Sequence, residues 1–422
     1  MMSPELRRTI DTLWRMESPR LIASLTRMLR DVGLAEDMAQ EALVAALEHW
    51  PRDGVPDNPA AWLMTTARRR AIDRLRQRQL HHDRHEALAY ELEQADMPAP
   101  DSDALLEDDI GDDLLRLLFV ACHPALPTEA RVALTLRLLG GLSTDEIARA
   151  FLQSEATIAQ RIVRAKRTLA QKQVPFEVPR KADLDERLDS VLEVIYLVFN
   201  EGYSATAGDD WMRPALCDEA LRLGRTLAAL MPQHAEVLGL LALMELQASR
   251  TKARMAADGA PILLLEQDRA RWDRLQISRG LAALQNAIRL GGARLPYTLQ
   301  AAIAACHAGA LQAQDTDWAR IAALYSVLAR VMPSPVIELN RAVAVGKASG
   351  PASALAIVEA LVEEAALRDY PSLPVVHGDL LQELGRYAEA HAAFERAADL
   401  TRNTRERTVM LARAQACKDL MG

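Results

Sequence analysis

Cysteine is nearly absent from this sequence. The four that occur, Cys122, Cys217, Cys306 and Cys417, stand too far apart for the close spacing of a zinc site or redox motif, and small buried hydrophobes are expected there. No apolar run reaches the length that crosses a bilayer, and the stretch from Met1 to Asp11 lacks a signal-peptide core, so a soluble, cytoplasmic protein is expected. There is no glycine-rich phosphate loop and no nucleophile elbow. His234 and Glu236, at i and i+2 on a helix, point apart and make a poor metal pair. Nothing stands at catalytic spacing, and neither an enzyme nor a cofactor is expected. Positive charge is also short: 50 lysines and arginines against 58 aspartates and glutamates leave a net −8. That balance argues against a protein that coats nucleic acid non-specifically, and any DNA contact must come from local basic faces or from a partner.

What is present is helical. The 422 residues suffice for two to four domains, half of them are apolar, and Leu, Ala, Arg and Glu dominate. An all-α fold is expected. The stretch Asn58 to Arg76 has two chemically different faces. Leu63, Ala67, Ala71 and Leu75 recur at the helical period, with Met64 and Ile72 widening the stripe, and this side is expected to be buried. Trp62, Arg69, Asp73 and Arg76 fall on the other side, where a ring in line with guanidinium groups suits single-stranded nucleic acid. Before it, Leu6 to Trp50 reads as two or three amphipathic helices, with Met38, Ala42 and Ala45 inward and Glu36, Asp37, Gln40 and Glu41 as an exposed acidic patch. Pro51 to Pro59, with three prolines and a glycine, predicts a shaped loop leading into Trp62.

After Arg84 the chain turns acidic, from Glu86 through Asp109, with Met97-Pro-Ala-Pro100 in its middle; the composition is that of a linker. A second helical module starts near Asp112. Within it, Ser143 with Glu146 forms a capping box and Ser154 caps a second helix. Ile158, Ile162, Ala165 and Leu169 make a buried stripe, which leaves Ala156, Gln160, Arg164 and Arg167 opposite. That is a helix-turn-helix loaded for DNA: Gln and Arg read purine edges, and Arg161, Lys166 and Lys172 are placed to hold phosphates. The glycine often found in such a turn is replaced by Leu152.

From Arg180 to Gly422 the basic clusters largely disappear. In Gly378 to Leu400, the turn Leu384-Gly-Arg-Tyr387 is followed by Ala390, Phe394 and Ala397, small, large and small as a tetratricopeptide helix pair requires; a weaker copy spans Leu339 to Leu361. Three polar clusters stand out: Asn200 to Tyr203, Asp209 to Pro214 and Asp268 to Trp272. Each has the make-up of a ligand site, and equally of a helix cap or a tryptophan-anchored helix end.

The order of these parts resembles bacterial RNA polymerase sigma factors of the extracytoplasmic-function type, in the subgroup with a long tetratricopeptide-like C-terminal extension. The resemblance implies sigma region 2 over residues 1–86, an acidic linker over 87–111, sigma region 4 over 112–173 and the extension over 180–422, joined by a two-proline hinge from Val174 to Lys181. It implies core polymerase and promoter DNA as partners, with no membrane, and a possible contact between extension and sigma domains. Asp37, Gln40 and Glu41 would meet polymerase. Arg52, Asp57 and Asn58 would hold a flipped base of the minus-10 element, with Trp62, Arg69 and Arg76 gripping the opened strand; Arg69 stands where many members carry Asn. Ala156, Gln160, Arg161, Arg164 and Arg167 would meet the minus-35 element. The competing expectations are a helix-turn-helix activator with a tetratricopeptide-type sensor, and a C-terminal scaffold or enzyme domain.

Overall fold

The computed structural model describes residues 4–86, 106–205, 207–256 and 259–421. Among these the regular structure is mostly α-helix, with a few short 3-10 turns, one two-stranded sheet and an isolated bridge between Met255 and Pro261, and the chain divides into two compact units, Met1–Val194 and Ile195–Gly422. The acidic segment 87–105 lies outside the described residues.

The first unit opens with α1 (Pro4–Leu29), α2 (Val32–Asp53) and α3 (Pro59–Glu86) around buried Ile10, Leu21, Ile22, Leu25 and Leu63. Arg30, at φ 52°, turns the chain between α1 and α2, and the Asp31 carboxylate caps α2 by accepting the Leu34 N–H at 3.0 Å. On α3 the expected stripe is buried at Leu63, Ala67 and Ala71. It then runs out: Ile72 is 41% and Leu75 36% exposed, and every residue from Ile72 to Arg76 faces solvent. The proline loop is also shorter than expected. Pro51 belongs to the last turn of α2 and Pro59 opens α3, where a missing N–H costs nothing, which leaves Gly54 to Asn58 as the connection.

Next come α4 (Leu106–Ala121), α5 (Thr128–Leu138), α6 (Thr144–Ala150) and α7 (Glu155–Gln171), packed on Leu117, Phe119, Leu134, Leu136, Ile147 and Ile158. The helix α4 begins ahead of the start near Asp112 that composition predicts, and it packs on α1, where the buried Asp113 takes Arg27 at 3.4 Å and Arg116 at 2.7 Å. The helix α8 (Lys181–Tyr203) begins in this unit. Its Arg187 donates to the Phe119 carbonyl at 2.8 Å, its Ser190 hydroxyl to the Cys122 carbonyl at 2.5 Å, and its Glu193 pairs with Arg131 at 3.0 Å. The division therefore falls inside α8, between Val194 and Ile195, rather than at the two-proline segment Val174 to Lys181.

The second unit continues with α9 (Pro214–Leu230), α10 (Ala235–Ala248), α11 (Arg274–Arg289), α12 (Pro296–Gly309), α13 (Trp318–Val331), α14 (Pro335–Ser349), α15 (Pro351–Val362), α16 (Ser372–Glu383), α17 (Tyr387–Leu400) and α18 (Thr404–Asp419). Successive helices form antiparallel pairs. In the pair α16 and α17, a Cβ on Gly378 would stand 2.8 Å from the Phe394 ring, so glycine sets how closely the two axes approach, and Gly385 at φ 74° makes the turn. Ala390, Phe394 and Ala397 are fully buried there, as the tetratricopeptide pattern predicts. The weaker copy is the pair α14 and α15, turned by Gly350. A parallel pairing of β1 (Ala207–Gly208) with β2 (Arg402–Asn403) joins the start of this unit to its end. Asn403, fully buried, locks the join by donating to the carbonyls of Ala205 (3.3 Å) and Asp210 (2.9 Å).

Candidate nucleic-acid interface

The first face is set by the connection into α3. Asn58 caps the helix, its Oδ1 accepting the Ala61 N–H at 3.0 Å, so this oxygen is committed to the backbone. One turn on, Trp62 is half-buried, its ring edge-on to the buried Trp50 (centroids 5.4 Å apart, planes at 65°) and tilted against His49 at 6.4 Å. Two rings from α2 thus fix the orientation of the third. Arg52 in the last turn of α2, Asp57 on the connection, and Arg69, Asp73 and Arg76 on α3 are all exposed, so Arg52 stands on a helix rather than in the expected loop.

The acidic patch on α2 is only partly exposed. Asp37 faces solvent, Glu41 takes Arg70 of α3 at 2.8 Å, and Gln40 donates to Glu36 at 2.6 Å. Glu36 departs from expectation: its side chain is 2% exposed. Arg137 of α5 donates to its Oε1 at 2.6 Å, and Lys166 of α7 pairs with its Oε2. Burial alone would push this carboxyl up. The charges of Lys166 and then Arg137, with their hydrogen bonds, outweigh that and hold it below its ordinary value of 4.5. The available signal was positional: Glu36 follows buried Val32 by one turn and sits between buried Ala35 and Ala39, where a lone carboxylate is tolerated only with cationic partners. A second tie, from Arg15 of α1 to Glu146 of α6, also runs between the first three helices and the helices after the linker.

The second face is the pair α6 and α7. The Ser143–Glu146 capping box forms, and the Ser154 hydroxyl accepts the Thr157 N–H at 3.1 Å. Between the helices Leu152 takes φ 50°, the left-handed conformation that a glycine would supply, and the Gln153 N–H closes the turn on the Ala148 carbonyl at 3.0 Å. The turn thus keeps its geometry despite a leucine, at a strain of about 1–2 kcal/mol. On α7, Ile158, Ile162, Ala165 and Leu169 are buried and Ala156, Gln160, Arg164 and Arg167 are exposed, as the spacing predicts. Two flanking cations are differently engaged. Arg161 is drawn to Glu129 of α5 at 2.6 Å and Lys166 to Glu36, so neither is free for a phosphate in this arrangement, whereas Lys172 is exposed. Among the described residues no group of His, Cys, Asp and Glu could hold a metal ion, and no helix is long and apolar enough to cross a membrane.

Comparison with known proteins agrees with this layout. Residues 13–81 match the model of sigma-70 region 2, residues 116–169 that of sigma-70 region 4, and residues 187–288 a family of unknown function (DUF6596). The uncharacterised protein R00370 of Rhizobium meliloti is 47% identical over 391 residues, covering 92% of this chain and 91% of that one. The ECF RNA polymerase sigma factor SigK of Mycobacterium tuberculosis is 32% identical over 154 residues, 36% of this chain and 78% of SigK. Among solved structures, yeast Tom70 matches at a TM-score of 0.33 and 12% identity, over 99% of this chain and 86% of that one, too distant to argue from. A region 2 face and a region 4 helix-turn-helix in this order, with SigK matched over most of its length, place the chain in a family: it belongs to the ECF sigma factors, the subunits that direct RNA polymerase to initiate transcription.

Proposed function

We propose that the two faces act at successive stages of promoter use. Ala156, Gln160, Arg164 and Arg167 read the minus-35 element in the major groove, with Arg161 joining once it leaves Glu129. Arg52, Asp57, Asn58, Trp62, Arg69 and Arg76 take the minus-10 strand once it opens. Asp37, Gln40 and Glu41 meet the polymerase, in the bacterial cytoplasm, and the chain performs no reaction of its own: binding energy favours the melted state, where an extruded base gains a pocket and a stacking partner. The observation that carries this reading is the sorting on α7, where Ala156, Gln160, Arg164 and Arg167 are exposed and the apolar stripe Ile158, Ile162, Ala165 and Leu169 behind them is buried.

The same reading requires the first unit to open. A compact unit of 194 residues spans about 40 Å, from the scaling of radius with chain length. The minus-10 and minus-35 elements lie roughly 80 Å apart at 3.4 Å per base pair. Both faces cannot engage one promoter while Lys166 and Arg137 hold Glu36, so polymerase binding must separate α7 from α2. The Ile195–Gly422 unit regulates that module from within the same chain, where a tether makes even weak contacts effective.

Trp62 separates the stages. Trp62→Ala is expected to leave closed-complex binding nearly intact and to impair opening, because the stacking platform contributes about 1–3 kcal/mol per base only once the strand is single. Permanganate footprinting reads this directly. Thymine reactivity equal to that of the wild-type complex would remove Trp62 from the mechanism.

A further inference from the structure

Promoter recognition leaves the three polar clusters of the second unit unused, and the fold brings them together. The guanidinium carbon of Arg254 lies over the Trp211 ring, 4.4 Å from its centre, and over the Tyr203 ring at 3.5 Å. That of Arg250 lies over Tyr203 at 5.7 Å and Trp272 at 5.8 Å, and that of Arg269 over Trp272 at 4.9 Å. The order is Trp211, Arg254, Tyr203, Arg250, Trp272, Arg269: rings alternating with cations, each pairing an attraction between a ring face and a positive charge. Each of the three clusters supplies a ring, and all six residues fall within the 187–288 match.

The charges in this stack are not balanced locally. Several other arginines of the unit are paired, as Arg213 with Glu201, Arg225 with Glu245 and Arg386 with Glu389. Among the described residues Arg250, Arg254 and Arg269 have no carboxylate within 4.0 Å. Glu406 and Asp315 act on Arg254 and Arg269 only from farther off. Burial first, and then the charge of Arg250, pulls both of these guanidinium groups below their ordinary range.

The outer two cations have structural work. Arg254 donates to the Tyr203 carbonyl and to Met212 Sδ at 3.3 Å. Arg269 donates to the carbonyls of His307 (2.8 Å) and Ala310 (2.9 Å) and to the Thr316 hydroxyl (2.9 Å). Arg250 is different: it is half-exposed, and among the described residues its guanidinium donates to no protein group. Nearby, Trp272 Nε1, Arg269 Nε and His307 Nδ1 are buried without a hydrogen-bond partner. His307 adds no charge at neutral pH, since burial, then Arg250 and Arg269, lower it to about 4. A third cation between two others raises the free energy of the unit unless an anion offsets it. Flanked by the Tyr203 and Trp272 rings, the Arg250 guanidinium keeps its N–H groups for incoming oxygens, and a guanidinium forms paired hydrogen bonds with an oxyanion.

We propose that Arg250 anchors an oxyanion site in the second unit that takes a phosphate-bearing small molecule. A phosphate monoester, close to a dianion at neutral pH, offsets more of the local positive charge than a single carboxylate does. The rings that flank Arg250 hold it in place before the ligand arrives.

The test is calorimetric titration of the full-length chain with inorganic phosphate, and separately with acetate as the single-carboxylate arm, at matched ionic strength and pH. Saturable phosphate binding is expected, weakened at least ~10-fold in Arg250→Ala and by a smaller factor in Arg250→Lys, which keeps the charge but loses the planar fork. Absence of saturable phosphate heat in the wild type, equal affinity in wild type and variants, or acetate binding more tightly than phosphate would each overturn the proposal. If Arg250→Ala fails to fold by circular dichroism, Arg250→Lys decides: affinity equal to wild type overturns it. No polymerase or DNA enters the titration, so its outcome is independent of promoter recognition.

Discussion

Glu36 is a carboxylate in a place that water does not reach, and its two cationic partners decide its behaviour. Glu36→Gln removes the charge and leaves Arg137 and Lys166 under-paired at a largely buried site, with an expected loss of about 1–3 kcal/mol at neutral pH. Because the folded carboxyl titrates below 4.5, its contribution is complete above that value and lost as pH falls through the folded pKa. Urea midpoints of the two proteins should therefore differ at pH 7 and converge under acid. A difference that persists unchanged in acid would mean that the carboxylate charge is not what matters. Arg164 poses a different question, since it is exposed and its backbone is held by a well-capped helix. Arg164→Ala is expected to reduce discrimination between a specific and a scrambled minus-35 element by about 1–3 kcal/mol, if its guanidinium pairs with a guanine edge. Equal losses on both would reassign it to the phosphate backbone.

At the scale of elements, α8 is the segment whose role was least legible in the sequence. Val174 to Lys181, with its two prolines, has the composition of a hinge, yet the helix after it is tied back to α4 and α5 through Arg187, Ser190 and Glu193. Such ties join residues 62 to 68 positions apart, and a local pattern carries no trace of them. The same limit hid Glu36, whose partners come from α5 and α7. By contrast α7 was legible residue by residue, because one helix with one buried side writes its own period into the sequence. Leu152 shows the converse: tertiary packing imposed a left-handed turn on a residue that does not favour it. One consequence is measurable. Residues 1–194 are expected to melt at a higher temperature than residues 1–175, because the shorter chain strands the Phe119 and Cys122 carbonyls and exposes the surface under Leu188 and Val191. Equal melting temperatures would make the first half of α8 dispensable to that unit.

For the whole molecule, an acidic chain that recognises DNA is consistent only if most of its affinity comes through a partner, as for a sigma subunit on core polymerase. The ties of Arg137 and Lys166 to Glu36 fit the proposed two-stage reading, in which polymerase binding opens the first unit. The most direct measurement is run-off transcription by core polymerase on duplex promoter templates, with full-length protein and with residues 1–194 compared on the same templates. Transcripts with a fixed start that appear only when the chain is added to core polymerase, in an amount that changes when the Ile195–Gly422 unit is removed, are the predicted result. A full-length chain that binds duplex DNA sequence-specifically on its own, yet leaves core polymerase silent at every concentration, would contradict it and reduce the molecule to a free-standing DNA-binding protein.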